Sequence, residues 1–263
     1  MQASFGTELR DWRTRRRLSQ LDLGLQANVS ARHISFLETG RARPSRPMVI
    51  QLCESLEVPR TARNALLSAA GFAPAYRQRE LAEDEMAHVR AAVDWTLERH
   101  APFPAFALDK HWTILRANPT AALLLAAANL NEGDCLLDVM SDTTLMGEIL
   151  ENPEEVMHHM AIRLRTESAH LGGDPILDEA AERLAKAVGD HAPGIEGPLP
   201  PVIPTRYKAG GGVLTFFSTL AQFGTAEDIA LAELKIEMMF PADEATRETL
   251  LAMAAAAEEA ANA

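Results

Sequence analysis

The sequence predicts an α+β protein in two parts: an all-α N-terminal domain of five short helices, and a C-terminal domain in which helices surround a small antiparallel sheet. The chain has 263 residues, 47% of them hydrophobic, and is long enough to form two cores. Apolar residues at helical spacing dominate the first 72 residues, whereas alternating patterns appear only after residue 100. The balance of charge also differs between the two parts.

This difference in charge is large. Residues 1–79 contain 13 arginines, no lysine and six acidic residues, for a net charge of +7. The rest of the chain carries −19, so the whole chain has a net charge of −12. Such asymmetry indicates that the basic part binds a polyanion and that the acidic part has another role.

The first two helices are indicated by apolar spacing and by a cap. Phe5, Leu9 and Trp12 recur at helical spacing and predict the first helix. Ser19 is a predicted N-cap, and Asp22, three residues later, completes a capping box at the start of the second helix.

The next three helices are bounded by turn residues. Asn28 ends the second helix because asparagine tolerates the left-handed backbone of a tight turn. Ser30 caps the third helix, and Gly40 ends it. Ser45 begins the fourth, and Gly71 ends the fifth. The polar segment 76–83 is interpreted as a linker. The sequence therefore predicts one domain at residues 1–75 and another at residues 84–263.

The C-terminal domain shows both periodicities. "FPAFALDKHWTILRANP" predicts a hairpin with Asp109-Lys110 at its turn, and two strands joined by a glycine loop are predicted in "RYKAGGGVLTFFSTLAQF". "PTAALLLAAANL" predicts a buried helix, and the Pro/Gly-rich segment 193–204 is expected to be irregular. Further helices are predicted at about 84–99, 153–169 and 175–188 and from residue 243 onward.

"ELKIEMMF" predicts a half-buried strand. Its apolar residues alternate with Glu233, Lys235 and Glu237. Alternation of this kind is typical of a strand with one face on the core and one in water. We therefore expect the three charged side chains to face solvent.

A helix–turn–helix is predicted between Ser19 and Glu38, with Gly24 where the two helices approach closely. The predicted core residues are Leu23, Ala27, Val29, Ile34 and Leu37. In such a motif the second helix enters the major groove of DNA with its N-terminus first, so its early side chains meet base edges.

These early side chains suit DNA recognition. Arg32 can bind O6 and N7 of guanine, while Ala31 and Phe36 can meet a thymine methyl group. Arg41 and Arg43 follow the helix and can neutralise backbone phosphates, as can polar groups near the helix starts. The predicted DNA-binding residues are Gln20, Ser30, Ala31, Arg32, His33, Ser35, Phe36, Arg41 and Arg43. The alternative is that the arginines form only a solvated face of a structural bundle.

Leu21 and Leu25 lie one turn apart on the second helix, where solvent-facing residues are expected. The commoner explanation for such a pair is burial against the protein's own next segment. The other is a dimer or interdomain contact that transmits a signal.

Four stretches of sequence carry a resemblance to two known families. "LSQLDLGLQANVSARHISFLETGRARPS" resembles the five-helix DNA-binding domain of lambda repressor/Cro-type (XRE) regulators, with Asn28 where glycine is common. Together with "LLSAAGFAPAYR", "FPAFALDKHWTILRANPTA" and "LTFFSTLAQFGTAEDIALAELKIEMMFPADEAT", the chain resembles bacterial MmyB-like transcription regulators. This resemblance implies a PAS-like C-terminal ligand-binding domain, with a fatty acid or similar lipophilic molecule as the ligand.

The residues themselves indicate an apolar cavity in the second domain, because methionine and aromatic side chains suit a pocket that adapts to a lipophilic ligand. The predicted ligand-binding residues are Phe103, Phe106, Trp112, Leu115, Met140, Met157, Met160, Arg163, Phe216, Phe217 and Met238. For each apolar residue, a place in the core is the alternative. Arg163 would bind a carboxylate head group or, alternatively, only extend along the core, and Arg206 and Tyr207 are weaker candidates.

Catalytic and metal-binding patterns are not found. Cys53 and Cys135 are too far apart in sequence for a zinc motif, and "AGGGV" lacks the lysine of a phosphate loop. His158 and His159 are adjacent, so on a helix they point about 100° apart and cannot share a metal. We expect no metal, no cofactor other than a bound lipophilic ligand, and no enzymatic activity.

The sequence therefore predicts a cytoplasmic bacterial transcription regulator with no membrane segment, since its longest apolar run is too short. We expect it to bind operator DNA as a homodimer and to respond to a lipophilic effector. A second domain that serves only dimerisation is the first alternative, and an enzyme domain tethered to a helix–turn–helix is the second.

Overall fold

The computed structural model describes residues 4–189, 202–224 and 226–261. The chain forms two compact units. The N-terminal unit is the chain up to Gln78 together with Glu167–Asp174 and Ala226–Ile229, and the C-terminal unit is the remainder. The fold is α+β, as predicted, with helices alone in the first 78 residues and a sheet with helices after them.

Five helices form the N-terminal unit where the sequence predicted them. They are α1 Phe5–Arg15, α2 Gln20–Gln26, α3 Ala31–Glu38, α4 Arg46–Ser55 and α5 Arg60–Ala69. Ser19 and Asp22 form the expected capping box, in which each side chain bonds the other residue's backbone N–H. Ser30 and Ser45 cap α3 and α4 through hydroxyls that accept backbone N–H groups.

The turn between α2 and α3 has the backbone that its sequence predicts. Asn28 has a φ of 50°, in the left-handed region, and thereby ends α2. Gly24 lies against the backbone of the next segment, because a Cβ there would be 2.5 Å from the Val29 carbonyl oxygen. The predicted core is confirmed: Leu23, Ala27, Ile34 and Leu37 are fully buried, and Val29 packs against them while partly exposed.

In its described residues, the second part of the chain contains five strands and the remaining helices. The strands are β1 Ala105–Leu108, β2 Ile114–Ala117, β3 Thr205–Ala209, β4 Gly212–Ala221 and β5 Lys235–Pro241. The α-helices are α6 Ala87–His100, α7 Pro119–Ala127, α8 Leu136–Met140, α9 Thr143–Ile149, α10 Pro153–Leu171, α11 Pro175–Val188, α12 Ile229–Glu233 and α13 Glu244–Ala261, with a 3₁₀ turn at Asp84–Met86. Both predicted hairpins are present. Of the predicted irregular segment 193–204, all but the last three residues lie outside the described ones.

The sheet has the order β2-β1-β5-β4-β3, and every pair of neighbours is antiparallel. β5 is therefore the central strand, flanked by β1 and β4. The prediction that β5 has one wet face was wrong, because Lys235 and Glu237 are only 4% and 8% exposed. Ile236 of this strand, and Leu234 just before it, pack in a core with α6. The charged residues of the strand lie on the opposite, enclosed face of the sheet.

The prediction of a buried helix at 119–130 was only partly right. Ala121 and Leu125 are buried in α7, whereas Leu123 is 60% exposed. The helix is apolar on every side, so its sequence does not show which side meets the sheet.

Two buried asparagines hold the elements that surround the sheet. Asn118 caps α7 and accepts the N–H of Ala105 in β1, while its amide donates to the carbonyls of Leu97 and Phe103. Asn152 accepts the N–H of Arg206 in β3 through its side-chain oxygen. Each amide thus satisfies backbone groups that would otherwise be buried without partners. Among the described residues, no helix has both the length and the apolar composition that crossing a bilayer requires.

Candidate DNA-binding surface and ligand cavity

The predicted recognition helix, α3, presents a mixed surface. Arg32 is exposed, with its guanidinium carbon 5.2 Å from the centre of the Phe36 ring. Ala31, His33, Ser35 and Phe36 are half-buried on the same helix. The cation–π contact holds the arginine beside the aromatic ring, so a polar and an apolar group lie next to each other on this surface. That combination matches the two kinds of contact that a base pair offers in the major groove.

Exposed arginines follow the C-terminus of α3. Gly40 has a φ of 71°, and the N–H of Arg41 then donates to the carbonyl of Phe36. This closing turn places Arg41 directly after the helix, with Arg43 and Arg46 also exposed. The three positive charges therefore flank the helix that the sequence assigns to the major groove.

Glu38, at the end of α3, is the polar centre of the N-terminal unit. Its carboxylate accepts hydrogen bonds from Arg13 at 2.6 and 3.1 Å, from Gln20 at 2.8 Å and from Arg10 at 3.4 Å. Burial alone would raise the pKa of Glu38, but the hydrogen bonds from Arg13 and Gln20 outweigh it and lower the pKa below its ordinary value. The carboxylate thus ties α1 and the start of α2 to α3.

Two of the predicted phosphate contacts already have partners within the protein. The Gln20 amide donates to Glu38, and the Ser30 hydroxyl accepts the N–H of His33. Both residues remain at helix starts, where backbone N–H groups point outward. The predicted contact with DNA is left to those N–H groups, to the second hydrogen of the Gln20 amide and to the O–H of Ser30, which can still donate.

Leu21 and Leu25 are exposed. Their exposed fractions are 59% and 74%, so the expectation of burial against the protein's own next segment was wrong. The two side chains border a shallow groove that also includes Gly24, Asn28 and Val29. This surface adjoins the turn of the helix–turn–helix.

An apolar cavity lies within the C-terminal unit, between the sheet and helices α7 to α10. Its volume is about 130 Å³. The lining residues are Phe106, Trp112, Ala121, Leu124, Leu125, Ala128, Leu130, Leu136, Val139, Met140, Met146, Ile149, Leu150, Val156, Met160, Thr205, Tyr207, Ser218, Glu237 and Met239. Most are aliphatic or aromatic, and four are methionines, which adapt their shape readily.

The predicted ligand-binding residues divide into two groups. Phe106, Trp112, Met140 and Met160 line the cavity. The others lie outside the lining: Phe103 and Phe216 in a neighbouring core with Leu250, Leu115 and Met238 in the core that includes α6, Phe217 stacked on Phe240, Met157 buried in α10, and Arg163 beside Trp112. Met238 and Met239 are neighbours on β5, and only Met239 faces the cavity.

Sequence reasoning missed Glu237, the charged residue in the lining. Its alternation with apolar residues was visible, but alternation predicts two different faces without showing whether the second meets water or a cavity. Leu124 and Leu125 were also missed as lining residues, although the apolar run of α7 was noted. The missing information was the central place of β5 in the sheet.

Glu237 is the acidic residue of the cavity lining, and two basic side chains, Arg163 and Lys235, lie close by outside the lining. Glu237 Oε2 lies 3.8 Å from Arg163 Nη1. The Arg163 guanidinium carbon is 4.3 Å from the centre of the Trp112 ring, and Lys235 Nζ is 4.4 Å from the same ring. Burial, together with the nearby charge of Glu237, raises the pKa of Tyr207 well above its ordinary value, so the phenol stays protonated.

Two kinds of reactive site, a nucleophilic thiol and a metal cluster, are not found in the part of the chain that the structure describes. Burial raises the pKa of Cys53 to about 12 and also raises that of Cys135, so neither thiol ionises readily. Within the described ranges, no group of three or more histidine, cysteine or acidic residues is arranged to hold a metal. His158 and His159 contact each other edge to face in α10.

Comparison with known families agrees with this geometry. Residues 4–66 match a helix-turn-helix domain model, and residues 89–253 match the model described as MmyB-like transcription regulator ligand binding domain. No curated protein matches the chain. Both domain types are those of regulators rather than enzymes. Because the second match covers more than half of the chain, the protein belongs to the MmyB-like transcription regulator family and is a DNA-binding regulator with a ligand-binding domain.

Proposed function

We propose that this regulator binds operator DNA as a homodimer, and that a small lipophilic effector of the fatty-acid class occupies the C-terminal cavity and changes operator affinity. The apolar cavity, which lies in the domain matched to ligand binding, carries this proposal. No other cofactor is part of it, and the protein acts in the bacterial cytoplasm, where its DNA partner is.

The size of the cavity limits how the effector fits. A cavity of about 150 Å³ lined by apolar side chains holds a molecule of the size of benzene. The cavity here, at about 130 Å³, therefore accepts a compact molecule as it stands and needs rearrangement for a long acyl chain. Met140, Met146 and Met160 supply the means, because unbranched thioether side chains change rotamer at low cost.

The dimer follows from the geometry of DNA recognition. A single helix–turn–helix contacts few base pairs, and regulators of this type gain specificity by placing two recognition helices one helical turn of DNA apart. The exposed Arg32 would contact a base edge, while Arg41 and Arg43 would contact phosphates.

Extraction and operator binding together test the proposal. Purified protein is extracted with organic solvent, and the extract is analysed by mass spectrometry for a stoichiometric lipophilic compound. The extracted compound is then titrated into a binding assay with an operator selected from random DNA. We expect operator affinity to change as the cavity fills. An unchanged affinity at saturation would refute effector control.

The second candidate is a C-terminal domain that serves only dimerisation. The small volume favours it, since ligand pockets usually enclose about 300–1,000 Å³. This candidate predicts a dimer whose operator affinity is the same with and without any lipophilic compound.

An enzyme tethered to the helix–turn–helix is the weakest candidate, because the cavity lining contains one carboxylate and no histidine or cysteine.

A further inference from the structure

Glu237 is the unusual residue of the cavity. Its side chain lines a pocket whose other walls are mainly apolar, and it is nine-tenths buried. Its Oε2 atom has no hydrogen-bond partner among the described residues, although Arg163 lies 3.8 Å away as an ion-pair partner. A buried carboxylate oxygen without a hydrogen-bond donor is costly, and such groups in folded proteins are usually satisfied.

The neighbouring cations do not take the place of that donor. Arg163 offsets the charge of Glu237 from 3.8 Å, which is too long for a hydrogen bond, and its guanidinium packs against the Trp112 ring. Lys235 donates to the carbonyl of Lys110 and contacts the same ring. Neither Arg163 nor Lys235 belongs to the cavity lining. A head group that enters the cavity therefore contacts the carboxylate of Glu237 first, with the Arg163 guanidinium behind it.

The hydroxyl groups nearby add a second polar element. Tyr207 lines the cavity and is close enough to Glu237 for the carboxylate charge to raise the pKa of the phenol. Thr205 and Ser218 also line the cavity. Hydroxyls accept as well as donate hydrogen bonds, whereas an ionised carboxylate only accepts them.

We propose that Glu237 selects a lipophilic ligand whose uncharged head group donates a hydrogen bond, such as an alcohol or an amide, and disfavours a free carboxylate. This inference rests on the proposed function and specifies its ligand. Oε2 gains the missing donor when such a head group binds, while the apolar walls hold the chain. A carboxylate head group would bring a second negative charge against Glu237 and supply no donor. The effector is then a neutral derivative of a fatty acid, such as its alcohol or its amide.

Three probes of nearly equal size separate these possibilities. 1-Octanol donates a hydrogen bond, heptyl methyl ether has the same number of heavy atoms and no donor, and octanoate is an anion. Their affinities are measured by isothermal titration calorimetry on the full chain at neutral pH. We expect 1-octanol to bind at least about tenfold more tightly than the ether, because a hydrogen bond to a charged group is worth at least that factor. Octanoate should bind more weakly than 1-octanol.

Variants assign the preference to one side chain. Glu237→Gln keeps the shape of the residue but removes its charge, and it should reduce the preference for 1-octanol over the ether and improve octanoate binding. Glu179→Gln, on the exposed face of α11, is the matched control and should change neither ratio. Tyr207→Phe tests the phenol separately and should leave most of the alcohol preference intact.

Each result has a definite meaning. Equal binding of 1-octanol and the ether to the wild-type protein would overturn the inference and leave the proposed function standing, with an apolar cavity indifferent to the head group. Tightest binding of octanoate would overturn it in favour of carboxylate recognition. If none of the probes binds, the proposed function fails and the inference fails with it. The wild-type comparison does not depend on whether Glu237→Gln folds.

Discussion

Two buried glutamates show how differently the two units of this protein use a charge. Glu38 accepts four hydrogen bonds, from Arg13, Arg10 and Gln20, and ties three helices together. Glu237 has one cation at 3.8 Å and an oxygen without a hydrogen-bond donor among the described residues, and it faces a cavity. The hydrogen bonds to Glu38 all come from within the chain. In our proposal, a ligand donates the hydrogen bond that Glu237 lacks.

This difference separates a structural charge from a functional one. A buried charge with all its hydrogen bonds stabilises one arrangement of its neighbours, and removing it leaves those neighbours without partners. A buried charge that lacks a donor destabilises the ligand-free protein. A ligand that supplies the donor therefore binds more tightly. The two residues should therefore respond in opposite ways to substitution.

The largest effect is expected at Glu38. Glu38→Ala should lower the free energy of unfolding of the N-terminal unit by about 3 kcal/mol, because the partly buried Arg13 guanidinium loses its partner. Glu54→Ala, at an exposed position of α4, is the control and should change stability by less than about 0.5 kcal/mol. Urea unfolding followed by circular dichroism measures both. Equal effects of the two substitutions would contradict a structural role for Glu38.

Glu237→Gln sharpens the contrast. It should change stability by less than about 1 kcal/mol, because the contact with Arg163 at 3.8 Å includes no hydrogen bond, while it changes ligand selectivity. A loss as large as that of Glu38→Ala would show that Glu237 is also structural.

The close approach in the helix–turn–helix gives the next largest effect. Gly24→Ala places a Cβ 2.5 Å from the Val29 carbonyl oxygen and should cost about 1–3 kcal/mol of stability. Gly147→Ala, in a helix of the C-terminal unit, meets no atom within 4 Å and should be neutral or stabilise by up to about 1 kcal/mol. Thermal unfolding compares the pair. If Gly24→Ala caused no loss of thermal stability, the close backbone contact at Gly24 would not be needed for the fold.

Operator binding distinguishes the roles proposed for Arg32 and Arg43. Arg32→Ala should cost about 1–3 kcal/mol of binding free energy and relax specificity at one base pair. Arg43→Ala should weaken binding evenly across sequences and lower the salt-dependence slope by about 1. Fluorescence anisotropy with the selected operator and with single-base variants measures both effects. Loss of specificity in Arg43→Ala rather than Arg32→Ala would reverse the assignment.

The smallest effect expected is a pH dependence in the N-terminal unit. The folded pKa of Glu38 is lower than the unfolded one, because the hydrogen bonds from Arg13 and Gln20 outweigh burial. The carboxylate therefore stabilises the fold above the ordinary glutamate pKa, and this contribution is lost as the pH falls through the lowered folded value. Unfolding measured from pH 7 to pH 3 should show the difference between wild type and Glu38→Gln shrinking in acid. A constant difference would contradict this origin.

The N-terminal unit could be predicted in detail because its determinants are local. The capping box at Ser19 and Asp22, the left-handed turn at Asn28 and the small residue at Gly24 each specify a conformation within a few residues of sequence. Even there, the partners of Gln20 and the exposure of Leu21 and Leu25 depended on contacts that no local pattern describes.

The cavity was harder to predict because it depends on which strands are neighbours. The hairpins and the charged residues of β5 were visible in the sequence, but the central position of β5 turned an expected wet face into a cavity wall. Helices α8 and α9 contribute much of the lining and are only five and seven residues long, too short for a clear periodic pattern. Four of the eleven predicted residues line the cavity, and the other seven lie outside the lining.

The most direct test of the account is the reciprocal coupling between the two sites. The affinity of the tightest-binding lipophilic probe is measured by calorimetry with and without saturating operator DNA, and operator affinity is measured with and without the probe. We predict that both affinities change by the same factor, since coupling between two binding sites is symmetric. A probe that binds the cavity with the same affinity in both conditions would contradict effector control of DNA binding.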